Sequence, residues 1–93
     1  MILYVYAIRD NAAGYYLPPS YAHTDAEMMR GIQYQLRQPG MLHDYAADYV
    51  LYKVATFDDQ TGEIVPMLPV IVARLNDLMQ GLDKEDNGHG INV

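Results

Sequence analysis

The stretch YVLYKVATFDDQTGEIV, residues 49–65, decides the fold because it contains a complete strand, loop and returning strand. Nearly every position from Tyr49 to Phe57 is apolar, which indicates a strand in the interior of a sheet. Residues 58–62, DDQTG, are typical of a hairpin loop, in which Gly62 can adopt a left-handed conformation. An antiparallel hairpin is therefore predicted over this stretch.

The opening segment ILYVYAI, residues 2–8, is apolar on both of its alternating faces, so it is also predicted to be an interior strand. It lacks the basic start of a signal peptide and is far too short to cross a bilayer, so we expect a soluble protein with no membrane partner. A helix is predicted between this strand and residues 49–57. We therefore expect the two strands to be adjacent and parallel, joined by a right-handed crossover.

Two further signals lie between these strands. Residues 10–14, DNAAG, supply turn chemistry, and Tyr15-Tyr16-Leu17 before Pro18-Pro19 favours a short edge strand, because prolines cannot donate ladder hydrogen bonds. Thr24-Asp25-Ala26-Glu27 has the form of a capping box that opens a helix. Apolar residues at helical spacing continue to Leu36, and Pro39-Gly40 ends the helix.

The last apolar segment has leucine and methionine at steps of three and four from Leu68 to Leu82, which predicts a second amphipathic helix. Its opening Val70-Ile71-Val72 is β-branched and is compatible with a strand instead. Residues 83–93 are polar and acidic, and we expect them to be a disordered tail. The sequence thus predicts one α+β domain over residues 1–82, a small mixed sheet covered by helices in the order β-β-α-β-β-α.

Composition restricts the class of protein. The 93 residues suffice for one modest core, and the chain has no cysteine, which excludes disulfides and thiolate metal sites and fits a reducing cytoplasm. The formal net charge is −6, whereas proteins that bind nucleic acid normally carry a basic surface. Strong autonomous binding to DNA is therefore disfavoured.

No catalytic constellation is visible in the sequence. Asp58, Asp59 and Glu63 lack the spacing of a calcium loop and are ordinary residues for a hairpin tip. The three histidines and Ser20 have no ligand or nucleophile pattern, and no phosphate-binding glycine loop occurs. We expect a protein that is not an enzyme and that has no cofactor or metal; a small hydrolase using Asp58 and Asp59 is the least favoured alternative.

The nine tyrosines are the one compositional excess with a functional interpretation. They are too many for one small core to bury with every hydroxyl paired, so several should reach the surface and serve an interface. The charge favours a protein or self interface, with a homodimer expected, over stacking on single-stranded DNA. The candidate contact residues are Tyr15, Tyr16, Tyr21, Arg9, Arg30, Arg37 and Lys53.

Two motifs in succession, RDNAAGYYLPP at residues 9–19 and YVLYKVATFDD at residues 49–59, resemble the small nonstructural protein of gokushovirus-like phages of the Microviridae. The resemblance covers about residues 1–66. It implies a protein of the infected bacterial cytoplasm, absent from the virion, that assists viral DNA replication or single-strand genome production. It implies partners among host or phage replication proteins, with binding of single-stranded DNA as the alternative, and it supplies no catalytic residues.

Overall fold

The computed structural model describes residues 1–82 and shows an α+β fold, as predicted. Its elements, in chain order, are β1 (Ile2–Asp10), β2 (Tyr15–Tyr16), β3 (Ser20–Ala22), α1 (Asp25–Leu36), α2 (Met41–Asp44), a 3-10 turn (Ala46–Asp48), β4 (Tyr49–Asp58), β5 (Ile64–Arg74) and α3 (75–82). The predicted tail, residues 83–93, lies outside the described residues.

All strand pairs of the five-stranded sheet are antiparallel. The strand order is β2-β1-β4-β5, and β3 also pairs with β1. The interior positions predicted for β1 and β4 are confirmed, but their predicted parallel pairing is wrong, since Ile2 lies opposite Asp58 and Asp10 opposite Tyr49.

The reason for this correction is β3, a strand that the sequence analysis did not predict. The chain runs back along β1 through β2 and β3 until Ala22 lies beside Tyr4. Helix α1 then returns the chain toward the end of β1, where the backbone N–H of Asn11 donates to the carbonyl of Asp48 over 2.9 Å. Because β2 and β3 make the return run, β4 must start beside the end of β1.

The predicted hairpin is confirmed, and the second predicted helix is present, but its predicted start at Leu68 is wrong. Gly62 has a φ of 77° and donates to the carbonyl of Asp58 over 2.7 Å. The returning strand then continues to Arg74, and α3 begins only at Leu75. The β-branched Val70-Ile71 pairs with β4, which is the strand alternative that these residues left open.

The spacing of the apolar residues suggested a helix, although this segment is a strand, because β5 contains a wide bulge. Pro66 pairs with Ala55 and Val70 with Lys53, so three residues of β5, 67–69, stand opposite Val54 alone. Leu68, at the centre of this bulge, is 87% exposed. Proline is tolerated in β5 because it is the last strand in the sheet order over residues 1–82.

Helix α1 begins as predicted and packs against the sheet. The Thr24 hydroxyl accepts a hydrogen bond from the backbone N–H of Glu27 over 3.1 Å. The Glu27 carboxylate accepts one from the backbone N–H of His23, one residue earlier than in a standard capping box. Three side chains of α1 are buried, with a spacing of four residues, in a core cluster with Tyr6 and Leu51: Met28, Ile32 and Leu36.

A hydrogen-bonded ion pair ties the start of α1 to two strands. The hydroxyl of Tyr6, a fully buried side chain, donates to Asp25 Oδ1 over 2.6 Å, and Lys53 Nζ lies 3.0 Å from the same oxygen. The hydrogen bond from Tyr6, assisted by Lys53, lowers the pKa of Asp25. Burial, together with this hydrogen bond, raises the pKa of Tyr6.

The Tyr6→Phe substitution should lower the free energy of unfolding by about 1–2 kcal/mol, because it removes a hydrogen bond to a charged group. Since the pKa of Asp25 is lowered by folding, its contribution to stability is present above about pH 4 and is lost as the pH falls through the folded-state pKa. The variant should therefore lose less stability than the wild type on acidification. Urea denaturation at pH 7 and pH 3 measures both effects.

Tyr4→Phe is the matched control, because the Tyr4 ring faces Lys53 Nζ at 4.4 Å and the substitution keeps this ring. Equal acid sensitivity of wild type and Tyr6→Phe would contradict the assigned hydrogen bond.

Candidate interaction surface

The sheet has one face covered by helices and one that no described helix covers. Over residues 1–82, every buried helical side chain belongs to a single core cluster, whose strand members are Tyr6, Ala22, Tyr49 and Leu51. Side chains of directly opposed residues in antiparallel strands lie on the same face. The strand register therefore assigns the remaining alternate positions to the other side, here called the open face.

The open face consists of apolar, aromatic and arginine side chains. Its members, from the strand register, are Leu3, Val5, Ala7 and Arg9 of β1, Tyr16 of β2, Tyr21 of β3, Val50, Tyr52, Ala55 and Phe57 of β4, and Ile64, Pro66, Ile71 and Arg74 of β5.

Four aromatic rings on this face form two pairs. Tyr16 and Tyr52 meet edge to face with ring centroids 5.6 Å apart. Tyr21 and Phe57 lie 5.7 Å apart at a tilt of 50°. Each pair joins strands on opposite sides of β1, which is the reason that small residues are needed between them.

The residues between the ring pairs are small and buried. Val5 and Ala7 of β1 and Ala55 of β4 are each about 6% exposed, although no helical residue shares a cluster with them in the described part of the chain. The two ring pairs come from the strands on either side of β1. The result is a flat central strip of small residues with aromatic rings on both sides.

The two arginines of the open face lie at one end of it. Arg9 and Arg74 are both opposite Val50, on the two neighbouring strands. The guanidinium carbon of Arg9 lies 5.3 Å from the centroid of the Tyr16 ring, within the range of a cation–π contact. Arg9 Nε also donates to Asn11 Oδ1 over 3.1 Å.

The acidic hairpin loop lies at the opposite end of the sheet. Phe57 and Ile64 pair at the far end of β4 and β5. Asp58 and Asp59 follow Phe57, and Glu63 precedes Ile64. Asp58 accepts a hydrogen bond from the backbone N–H of Gln60 over 2.9 Å, and this bond lowers its pKa. The register places Asp58, which lies opposite Ile2, on the helix-covered side, so the arginines are the charged members of the open face.

The other predicted contact residues lie elsewhere. Tyr15 pairs with Asp10 and is on the helix-covered side, at the edge of the sheet. Lys53 is held by Asp25 and by the Tyr4 ring. Arg30 is exposed on α1, and Arg37 is the C-terminal cap of that helix. Of the seven predicted residues, the structure brings together Tyr16, Tyr21 and Arg9.

The sequence analysis did not name Tyr52, Phe57 or Arg74 as contact residues. Simple alternation along β4 would put Tyr52 and Phe57 on opposite faces. The register shift at Val54 brings both to the open face, and only the register of β2 and β3 shows which rings they meet. Arg74 could not be placed because β5 was predicted to be helical.

The acidic residues of the hairpin serve the loop. Asp59 Oδ1 lies 2.8 Å from the amino group of Met1, and Asp58 caps the turn through Gln60. Residues 1–82 contain no group of three or more histidine, aspartate or glutamate side chains placed to hold a metal ion. Within the same residues, no helix has the length and apolar character needed to span a membrane.

The fold is a small antiparallel sheet with helices on one face and aromatic side chains on the other. A family model described as Phage ORF5 protein matches residues 3–78, more than half of the chain, so the chain belongs to this family and is a phage protein. Comparison with curated proteins and comparison with solved structures each yield no match.

Replacing Tyr16 by alanine should lower the free energy of unfolding by about 1 kcal/mol more than replacing Tyr15, because only Tyr16 makes the ring contact with Tyr52 and the contact with Arg9. Both residues belong to β2, so Tyr15→Ala controls for strand propensity. Urea denaturation of the two variants gives the difference, and equal losses would contradict these contacts.

Proposed function

We propose that this phage protein is a nonenzymatic, nonstructural accessory protein that assists viral DNA replication or single-strand genome production. Membership in the Phage ORF5 family and the resemblance to the small nonstructural proteins of gokushovirus-like Microviridae support this role. The observation that carries the mechanism is the open face. The protein acts in the host cytoplasm through contacts that the open face makes with another polypeptide.

The composition of the open face supports a protein partner. A sheet face exposed to water normally carries polar residues. This face instead presents tyrosine, phenylalanine, isoleucine and valine. Arginine and aromatic residues are enriched in protein interfaces, whereas lysine, aspartate and glutamate are depleted. The open face includes two arginines and no lysine, aspartate or glutamate. Covering this face removes exposed apolar surface from water, which is the driving force for association.

Complementation of a phage lacking the gene tests this proposal. Tyr52→Glu places a charge among the rings and should reduce single-stranded progeny DNA about tenfold or more, whereas Tyr34→Glu should leave the yield unchanged. Tyr34 is 66% exposed on α1 and serves as the control. Circular dichroism confirms that both variants fold, and quantitative PCR of packaged genomes gives the yield.

The same assay separates the proposal from hydrolysis by the hairpin carboxylates. Asp58→Asn keeps the shape of the side chain, so an accessory protein should retain its activity. Loss of progeny DNA with Asp58→Asn, combined with normal yield from Tyr52→Glu, would overturn the proposal.

Single-stranded DNA is the second candidate ligand of the open face. The observation that favours it is that Arg9 and Arg74 share the face with four aromatic rings, because bases stack on rings while arginines contact phosphates. The net charge of −6 opposes it.

Binding of a fluorescein-labelled 20-nucleotide oligothymidine, followed by fluorescence anisotropy, tests this candidate. Direct binding predicts affinity that falls as salt rises from 20 to 200 mM, and Arg9→Gln with Arg74→Gln should reduce the salt dependence. Arg30→Gln on α1 is the control. Absence of binding at 20 mM salt would reject single-stranded DNA as the ligand.

A further inference from the structure

We propose that a cavity between α1 and the edge strand β3 is a second docking site, which binds one large apolar side chain of an extended peptide and a basic residue two positions away from it. The site is separate from the open face, because it lies on the helix-covered side of the sheet. Its apolar lining includes four members of the core cluster: Tyr6, Met28, Ile32 and Leu51.

Gly31, in the middle of α1, lines this cavity and is exposed. Glycine is unfavourable in the interior of a helix, because it loses more backbone freedom on folding than any other residue. Gly31 is not among the glycines with positive φ. A methyl group on its Cα would meet no atom within 4 Å beyond its own helix backbone and its two chain neighbours. A residue that weakens its helix without a benefit to packing is expected where a surface is kept open for a ligand.

The opposite wall of the cavity is the backbone of β3. Three consecutive residues, Ser20, Tyr21 and Ala22, all line the cavity, although the side chain of Tyr21 lies on the open face. Over residues 1–82, β3 pairs only with β1, so the N–H and carbonyl groups of its other edge have no strand partner. An extended peptide can pair with such an edge and direct alternate side chains into a pocket.

The size of the cavity restricts the occupant to a single side chain. Its volume is about 270 Å³. This volume is below the range of roughly 300–1,000 Å³ for pockets that enclose a drug-sized ligand or a cofactor. A leucine, methionine or phenylalanine side chain is small enough to enter, and the apolar lining would remove it from water. Because β3 has only three residues, the cavity must supply most of the specificity.

The charge at the rim selects a basic neighbour for this side chain. Among the lining residues, all of which lie in the described part of the chain, Glu27 is the anion and none is lysine or arginine, which disfavours a nucleic acid. Glu27 Oε2 accepts from His23, whereas Oε1 has no partner within residues 1–82. Glu27 precedes Gly31 by four residues, about 6 Å along a helix, and side chains two residues apart in a strand are about 6.6 Å apart. A basic residue at that spacing therefore reaches Glu27.

Titration of the full ¹⁵N-labelled chain with a probe peptide, followed by NMR, tests the site. The probe has seven residues, with leucine at the centre, arginine two residues away on each side and threonine elsewhere. We expect shifts of the β3 and α1 amides and a dissociation constant of about 0.1–1 mM, because the contact consists of one buried side chain, one ion pair and a few backbone hydrogen bonds.

Two substitutions in the cavity should weaken binding of the probe. Gly31→Leu fills the cavity and should weaken it about tenfold or more, and Glu27→Gln removes the charge and should weaken it about threefold. Ala26→Leu is the matched control, because it adds the same side chain at an exposed position of α1 that does not line the cavity. This control should bind the probe as the wild type does.

Thermal unfolding of Gly31→Ala tests whether the glycine has a structural reason. Alanine is the better helix former and the space beside Gly31 is open, so the midpoint should rise by about 4–8 °C. A lower midpoint would show that packing requires the glycine and would overturn the proposal.

Three binding results would also overturn it: no shifts at about 2 mM probe, shifts confined to the open face, or equal affinity of wild type and Gly31→Leu. Equally tight binding of N-acetylleucinamide would make the cavity a small-molecule site and the assignment to a peptide wrong. Each of these failures leaves the proposed function intact, because that function depends on the open face on the other side of the sheet.

Discussion

The contact among Tyr6, Asp25 and Lys53 fixes which side of the sheet the first helix covers. Its three members come from β1, α1 and β4, so the start of the helix is attached to both central strands. A buried hydroxyl and a half-buried ammonium group each need a partner, and Asp25 satisfies both. With α1 held there, the core forms on that side, and the rings of the other strand positions remain on the opposite side.

The two sides of the sheet are built by different means. On the helix side, large residues such as Leu36 and Leu51 are fully buried by contacts between layers. On the other side, small buried residues of β1 lie between strands that carry the aromatic ring pairs. This second arrangement buries backbone and methyl groups but leaves the rings half exposed. The half-exposed rings are therefore a consequence of the sheet packing, and they are also the surface best suited to a partner.

Local signals predicted the elements that depend on neighbouring residues. The cap of α1 and the turn at Gly62 involve residues within four positions, and both formed as predicted. The direction of β4 was not predictable because it depends on where β3 runs, and β3 consists of only three residues after a double proline. The sequence analysis named Tyr16 and Tyr21 as candidates but not their ring partners, Tyr52 and Phe57. Which rings meet depends on the register between strands, which local sequence signals do not determine.

The bulge in β5 affects how this protein behaves when it is crowded. An incoming strand extends a sheet by pairing with a regular row of outward N–H and carbonyl groups. Pro66 and Pro69 have no N–H. Residues 67–69 of β5 stand opposite a single residue of β4, and this bulge interrupts the two-residue repeat of the edge. The apolar edge is consequently divided into two short stretches, neither long enough to template fibril growth. The protein can thus carry an apolar outer strand and still resist amyloid-like polymerisation.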